Sequence, residues 1–217
     1  KGKPDLEQIK VMKEDCKMDR IQHYKQIADL FRYPSESLLS QSEEFEKLIQ
    51  TNYTNEISKC QLFLNHVQTK SLRDLQEYYV STFDIQALSH LDIGYILFGE
   101  DLKRGDFLVK LQQEHIKNKT DLGFELADHL PNVLVLLAST NDSEFADEFV
   151  QFILLPALLS MIKGFKSESN VYLFLLQILK EVLIKDFNIE EIKIEIPENK
   201  DCVFAGNGCS ANNTDNY

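Results

Sequence analysis

The sequence predicts an all-α fold: a single helical domain of roughly eight to ten helices with a flexible polar C-terminal tail. Three observations lead there. Apolar side chains recur at spacings of three and four from Ile21 to Leu183, the period of an amphipathic helix. Residues that start or stop helices punctuate the pattern: Pro34, Ser71, Gly99, Asp101 and Gly164. The stretch that alternates with period two, Ile192-Lys193-Ile194-Glu195-Ile196, comes only after the last helical segment. The chain divides into a charged N-terminal segment (1–19), a helical domain (20–186), and an extended arm with a disordered tail (187–217). No internal repeat at a solenoid period is visible.

The elements follow in order. Lys1 to Lys17 is strongly charged and reads as fraying or as a loose first helix. Arg20 to Arg32 is helical by pattern, with Ile21, Tyr24, Ile27, Ala28 and Phe31 on one stripe. Tyr33-Pro34 stops it, because proline disfavours helical geometry in the residue before it. Ser35 caps a short turn through Leu38 and Leu39, and Glu43 to Gln50 forms a further helical piece. After a break at Asn52 to Thr54, Ile57, Cys60, Leu64 and Val67 share a face, which makes Cys60 a core residue. Ser71-Leu72-Arg73-Asp74 reads as a capping box with Asp in place of Glu. It opens a helix with Leu72, Leu75, Tyr79 and Phe83 on one face.

Asp84 to Ser89 is irregular, and His90 to Phe98 is an apolar segment closed by Gly99 as a helix C′ residue. Asp101 caps a helix to about Lys117 with Phe107, Leu108 and Leu111 inward. Thr120 to Glu125 is a polar loop. Leu126-Ala127-Asp128-His129-Leu130-Pro131 then reads as a helix start. With Asp128 as N-cap, the missing N–H of Pro131 costs nothing and the carboxylate complements the helix dipole. Asn141-Asp142-Ser143 caps a helix with Phe145, Phe149, Phe152 and Pro156 at helical spacing. Pro156 either kinks that helix or starts another. Gly164 ends it. Ser169 caps a last helix whose inner face is Tyr172, Leu175, Leu176, Leu179 and Leu183. Ile192 to Ile196 forms a short strand or an extended arm, and Pro197 to Tyr217 has the composition of a disordered tail.

A formal charge of −12 argues against a general nucleic-acid binder and favours a basic partner segment. No apolar run approaches the roughly 20 residues that span a bilayer. Phe149 to Ile162, the most apolar run, is interrupted by Gln151 and Pro156. The N-terminus carries no signal-peptide apolar region. Cys16, Cys60, Cys202 and Cys209 lack a disulfide-scaffold spacing, and the expected compartment is reducing.

The search for catalytic chemistry assigns no residue. Among His23, His66, His90, His115 and His129, no two stand four apart as paired helical metal ligands would. Gly206-Asn207-Gly208 has neither the strand nor the helix that a phosphate loop needs. Cys202 and Cys209 are too far apart for a zinc knuckle. No metal site and no cofactor are therefore expected. Asp128 and His129 point about 100° apart at a helix start and form no dyad with each other. They read either as a capping Asp beside a solvent-facing His, or as a partner-binding rim.

Three groups of residues together resemble a known family. Tyr79-Val80-Ser81-Thr82-Phe83-Asp84, then Gly99-Glu100-Asp101 with Arg104-Gly105, then Asp128-His129-Leu130-Pro131 follow one another in an order similar to the nitrate reductase molybdenum cofactor assembly chaperones. These are the NarJ-type delta subunits, within the TorD/DmsD redox-enzyme maturation chaperones. Leu30-Phe31-Arg32-Tyr33-Pro34 resembles that family's opening, and Leu155-Pro156-Ala157-Leu158 with Tyr172 its later helix pair. The chain departs from the pattern at Ala127, where the family usually has Pro, and at Val135, where it usually has Glu.

The resemblance implies a cytoplasmic, all-helical chaperone that is not an enzyme. It would bind the molybdenum-binding catalytic subunit of nitrate reductase or a related molybdoenzyme, through that subunit's N-terminal leader or its remnant, before cofactor insertion. No nucleic acid and no stable membrane association are implied. The chain would be a monomer, or a dimer that swaps helices about the Thr120 to Glu125 hinge. Asp128, His129, Leu130 and Pro131 would form the docking rim, with Asp128 facing a basic group or capping its helix. Tyr79, Phe83, Asp84 and Tyr95 would line or support the groove, and Arg104 would pair with Asp101 or Asp84. The alternative is a helical metal- or haem-binding protein, or a metal-dependent hydrolase, using His66, His90, His115 and His129.

Overall fold

Regular structure in the computed structural model is helical throughout the described residues, 23–84 and 90–189, which form one all-α domain. The sole pairing of extended segments among them is an isolated antiparallel bridge between Asp92 and His129. The charged N-terminal segment, the period-two arm, the polar tail, and Cys16, Cys202 and Cys209 lie outside the described residues. The helices are α1 (23–30), α2 (Leu38–Asn52), α3 (Ile57–Thr69), α4 (Leu72–Phe83), α5 (Ile93–Phe98), α6 (Leu102–Lys117), α7 (Leu130–Ser139), α8 (Ser143–Phe149), α9 (Leu155–Gly164) and α10 (Val171–Asp186).

The core follows from the apolar faces. α10 buries Tyr172, Leu175, Leu176, Leu179 and Leu183, the face expected from sequence, and packs on α3 and α9. α2 lies on α3, and α5 lies between α6 and α9. α7 is apolar nearly all round, which marks a central helix, and it buries Leu130, Val133, Leu134, Leu136 and Leu137. Cys60 is buried as expected, and desolvation pushes its thiol up to about 12.

Several local expectations hold. Ser71 and Asp74 form the reciprocal capping box at the start of α4. Asp101 accepts from Lys103 N at 2.8 Å, and Asp142 from Phe145 N at 3.1 Å. Gly99 ends α5 with a φ of +60°, a conformation glycine adopts without a Cβ penalty.

Others are corrected. The two pieces expected between Ser35 and Gln50 are one helix, α2. Ser42 does not break it, because its hydroxyl donates to Leu38 O at 2.6 Å and is satisfied inside the helix. Asn170, not Ser169, caps α10. Its Oδ1 accepts from Tyr172 N at 2.9 Å while its Nδ2 donates to Thr82 Oγ1 on α4 at 3.2 Å, so a tertiary bond sets the boundary. At Pro156 the helical stretch does not break. A π-helical turn, Val150–Leu154, joins α8 to α9, with Leu155 N donating to Val150 O, and Pro156 falls in the first turn of α9. The wider turn accommodates the missing N–H. The resulting helical stretch, Ser143–Gly164, is long and apolar enough to cross a membrane by length and composition, which the sequence reading did not expect. Here it packs into the core through Phe149, Val150, Leu154, Leu155, Ala157 and Leu158.

Candidate functional site

Free backbone donors at a helix start must find acceptors, and at α5 they find them on a distant segment. Leu130 N donates to Leu91 O at 2.8 Å, and Ile93 N donates to Asp128 O at 3.0 Å. Gly94 N, in the first turn of α5, donates to Asp128 Oδ2 at 3.1 Å. Asp128 therefore caps α5 across the fold. The expectation that it caps its own helix is corrected: His129 holds the N-cap position of α7 and makes no side-chain cap bond. Pro131 does sit in the first turn of α7, as expected. Gly94 is required by this arrangement, because a Cβ there would stand 2.6 Å from Asp128 Oδ2 and 2.9 Å from Phe107 Cδ1.

Asp128 is fully buried and faces a basic group inside the protein. Arg104 Nη2 lies 3.5 Å from Asp128 Oδ2 and 3.4 Å from Asp92 Oδ2, with the guanidinium 5.4 Å from the Tyr95 ring centre. The expected pairing of Arg104 with Asp101 or Asp84 is thus replaced by Asp92 and Asp128. Burial, reinforced by the Asp92 charge, raises the Asp128 carboxyl above its ordinary value, against the opposing pull of Arg104 and the Gly94 N–H. Asp128, Leu130 and Pro131 form the buried support of this region rather than an exposed rim.

Two residues fix the loop between α6 and α7: His115, expected from sequence only as a ligand in the alternative reading, and Asn132, which sequence reasoning missed. His115 is buried, with Nε2 3.1 Å from Ala127 O and Nδ1 2.6 Å from Thr120 Oγ1. The carbonyl partner puts the proton on Nε2, so Nδ1 accepts from the threonine, and burial holds the imidazole below its ordinary pKa. Its place four residues after the inward Leu111 was the available signal. Asn132 Nδ2 donates to both Leu122 O and Leu126 O at 3.0 Å. Only its polarity within an apolar run marked it.

This loop closes one side of a cavity of about 560 Å³. The other walls come from the turn after α1, the end of α4 and the segment before α5. Tyr79, Phe83, Asp84 and His129, all nominated from sequence, line it. Asp128, Leu130, Pro131, Tyr95 and Arg104 do not. Tyr79 is fixed by its hydroxyl donating to Phe31 O at 3.0 Å and by edge contacts with Tyr33 and Phe83. His129 Nδ1 is buried with no partner among the described residues, and burial lowers its pKa against the opposing charges of Glu125 and Asp92. Tyr33 is 55% exposed and Phe124 fully exposed, so both present apolar surface to water at the cavity.

A second polar cluster is structural. Asp186 accepts from Tyr24 OH at 3.0 Å and Tyr53 OH at 2.6 Å, and lies 3.8 Å from His23 Nδ1. Burial pushes its carboxyl up, but bonds from His23, Tyr53 and Tyr24 outweigh that and hold it below the usual range. Among the described residues, no three His, Cys, Asp or Glu side chains are grouped to hold a metal ion.

Fold and site together define an all-α domain with an aromatic-walled, acid-lined cavity. Compared with models of known families and with curated proteins, the sequence finds no match.

Proposed function

We propose that this protein is a maturation chaperone of the NarJ type, acting in the cytoplasm on the apo catalytic subunit of a nitrate reductase-like molybdoenzyme. It would bind that subunit's N-terminal leader or leader remnant and hold the subunit open until the molybdenum cofactor is inserted. One observation carries the reading. The three groups of residues that resemble the family, far apart in sequence, meet around the start of α5: Asp128 on Gly94, Arg104 on Asp128, and Tyr79, Phe83, Asp84 and His129 in one cavity. The aromatic walls and carboxylates of that cavity suit a segment that is basic at one end and apolar beyond it.

Calorimetry with the N-terminal peptide of a candidate catalytic subunit, and co-purification with the whole apo subunit, test the proposal. Binding at micromolar Kd or tighter is expected, weakened by His129→Ala with the fold intact. Failure of both the leader and the apo subunit to bind would remove the function.

A further inference from the structure

α6 is apolar on two faces, and the fold uses one of them. Leu111 and His115 are buried, and Phe107 and Leu108 pack against the core. On the other side Leu102, Val109 and Ile116 are 91%, 57% and 71% exposed. Among the described residues, no other helix leaves more than one large apolar side chain so open to water. The three stand seven apart, so they drift only about 20° per heptad and form one stripe along the helix. Lys103, Lys110 and Lys117, also seven apart, run along one edge of that stripe. Lys103 and Lys110 make no ion pair among the described residues, whereas Lys117 pairs with Glu114 and Asp142. Asp106 is the one exposed acid within α6. A basic edge thus stands out on a chain of net charge −12. Gly105 lies on the other edge. Its φ is not positive and a Cβ there would meet nothing within 4 Å, so nothing inside the fold asks for glycine. Glycine is nonetheless among the least favourable residues in a helix. What it offers is bare backbone beside the stripe, where a second helix can approach closely.

We infer that the outer face of α6 docks an amphipathic helix of another protein, one with an apolar seam and an acidic edge. Leu102, Val109 and Ile116 hold one seam position of a heptad, and the lysines hold the position beside it, whose charge selects the partner. Three lysines on that edge call for glutamate or aspartate along the facing edge. A second copy of α6 fits poorly. Antiparallel pairing would set lysine against lysine along the edge, and parallel pairing would set Asp106 against its own equivalent; like charges so placed destabilise. An anionic lipid surface would accept the lysines but gains nothing from the bare backbone at Gly105. One helix laid on another buries less than the about 800 Å² per partner of a stable interface, so the contact is weak by itself. No residue of α6 lines the cavity, and the inference does not depend on the chaperone reading.

The test uses the full chain and two labelled helical peptides of about three heptads, alike in their leucine seam and differing only in edges of glutamate or of lysine. Fluorescence anisotropy reads their binding. The glutamate peptide is expected to bind with a Kd of about 100 μM or tighter, and the lysine peptide at least about tenfold more weakly. The net charge of the chain repels the glutamate peptide, so this preference has to come from a local basic face. Val109→Asp is expected to abolish binding, and Lys103→Glu/Lys110→Glu to reverse the preference. Gly105→Gln is expected to weaken binding about tenfold while raising the melting temperature, because the helix gains a better former. Leu62→Gln, at an exposed leucine on α3, is expected to change nothing. Circular dichroism verifies folding of each variant, all of them at exposed positions. Equal affinity for the two peptides, undiminished binding by Val109→Asp or by Gly105→Gln, or no binding of the glutamate peptide at millimolar concentration would each overturn the docking surface. Two controls without peptide complete the test: sedimentation of the protein alone, and flotation with phosphatidylglycerol vesicles. Self-association or vesicle binding that Val109→Asp abolishes would give the face to a second copy or to a membrane, and either would overturn the proposal.

Discussion

Asp128 has two helix starts within reach, its own and that of α5, and its side chain serves the second. A carboxylate stabilises whichever free N–H groups it can reach, and Gly94 N together with Arg104 offers a donor and a charge to a carboxylate that is itself fully buried. Substitution should therefore cost stability before it costs binding. Asp128→Ala is expected to destabilise by about 2 kcal/mol, since it leaves the buried Gly94 N–H without its acceptor and takes from Arg104 one of its two carboxylates. Gly94→Ala, with its Cβ driven into that carboxylate and Phe107, is expected to cost about 2 kcal/mol. Urea unfolding measures both, and a wild-type midpoint for either would sink this account of the α5 start. The sequence marks Asp128 as a cap and Pro131 as tolerated in a first turn, but points the carboxylate to its own helix. Nothing local to residue 128 distinguishes the two.

At the level of the helix, caps contained within four residues were legible and caps that reach across the fold were not. Ser71 and Asp74 satisfy each other within the first turn of α4, so their pairing is written in their spacing. Asn170 wins over Ser169 because its amide also bonds Thr82 on α4, which periodicity cannot reveal. The two sites should differ in cost. Ser71→Ala is expected to lose about 1 kcal/mol, the worth of an exposed cap, and Asn170→Ala about 2 kcal/mol, because a buried bond goes with it. Equal losses in denaturant titrations would contradict the tertiary role of Asn170. The π-helical turn before Pro156 teaches the same lesson: the proline announced an irregularity, and the packing of α8 and α9 chose its form.

For the molecule as a whole, pH links the buried groups to stability. Burial holds the imidazoles of His66, His115 and His129 below their ordinary value of 6.5. As pH falls through 6.5 the unfolded chain takes up protons that these imidazoles resist when folded, so their contribution is level above that value and declines below it, while the raised Asp128 carboxyl acts in the opposite sense and adds stability only as pH falls through its own folded value. The depressed Asp186 carboxyl adds a further contribution, present above its ordinary 3.8 and lost as pH falls through its folded value. Urea midpoints measured from pH 7.5 down to 5 check the sign, and a midpoint that rose on acidification would refute it. His129→Gln is expected to flatten the decline, and it tests at once whether the cavity histidine stays neutral when the protein is folded.

The sequence by itself determined the helical class, the inner face of α10 and most of those of α3 and α4, the burial of Cys60, and the caps at Ser71, Asp101 and Asp142. Each of these depends on residues within a turn or two of one another, where periodicity and hydrogen-bond reach coincide. Only the tertiary structure decided that Asp128 turns inward to a helix start 34 residues away, that Arg104 joins it, and that Tyr79, Phe83, Asp84 and His129 share one cavity with Asp92 and Glu125. The physical reason is that buried charge and unsatisfied backbone donors are matched in space, and the packing of the helices, not the order of the residues, brings those partners together.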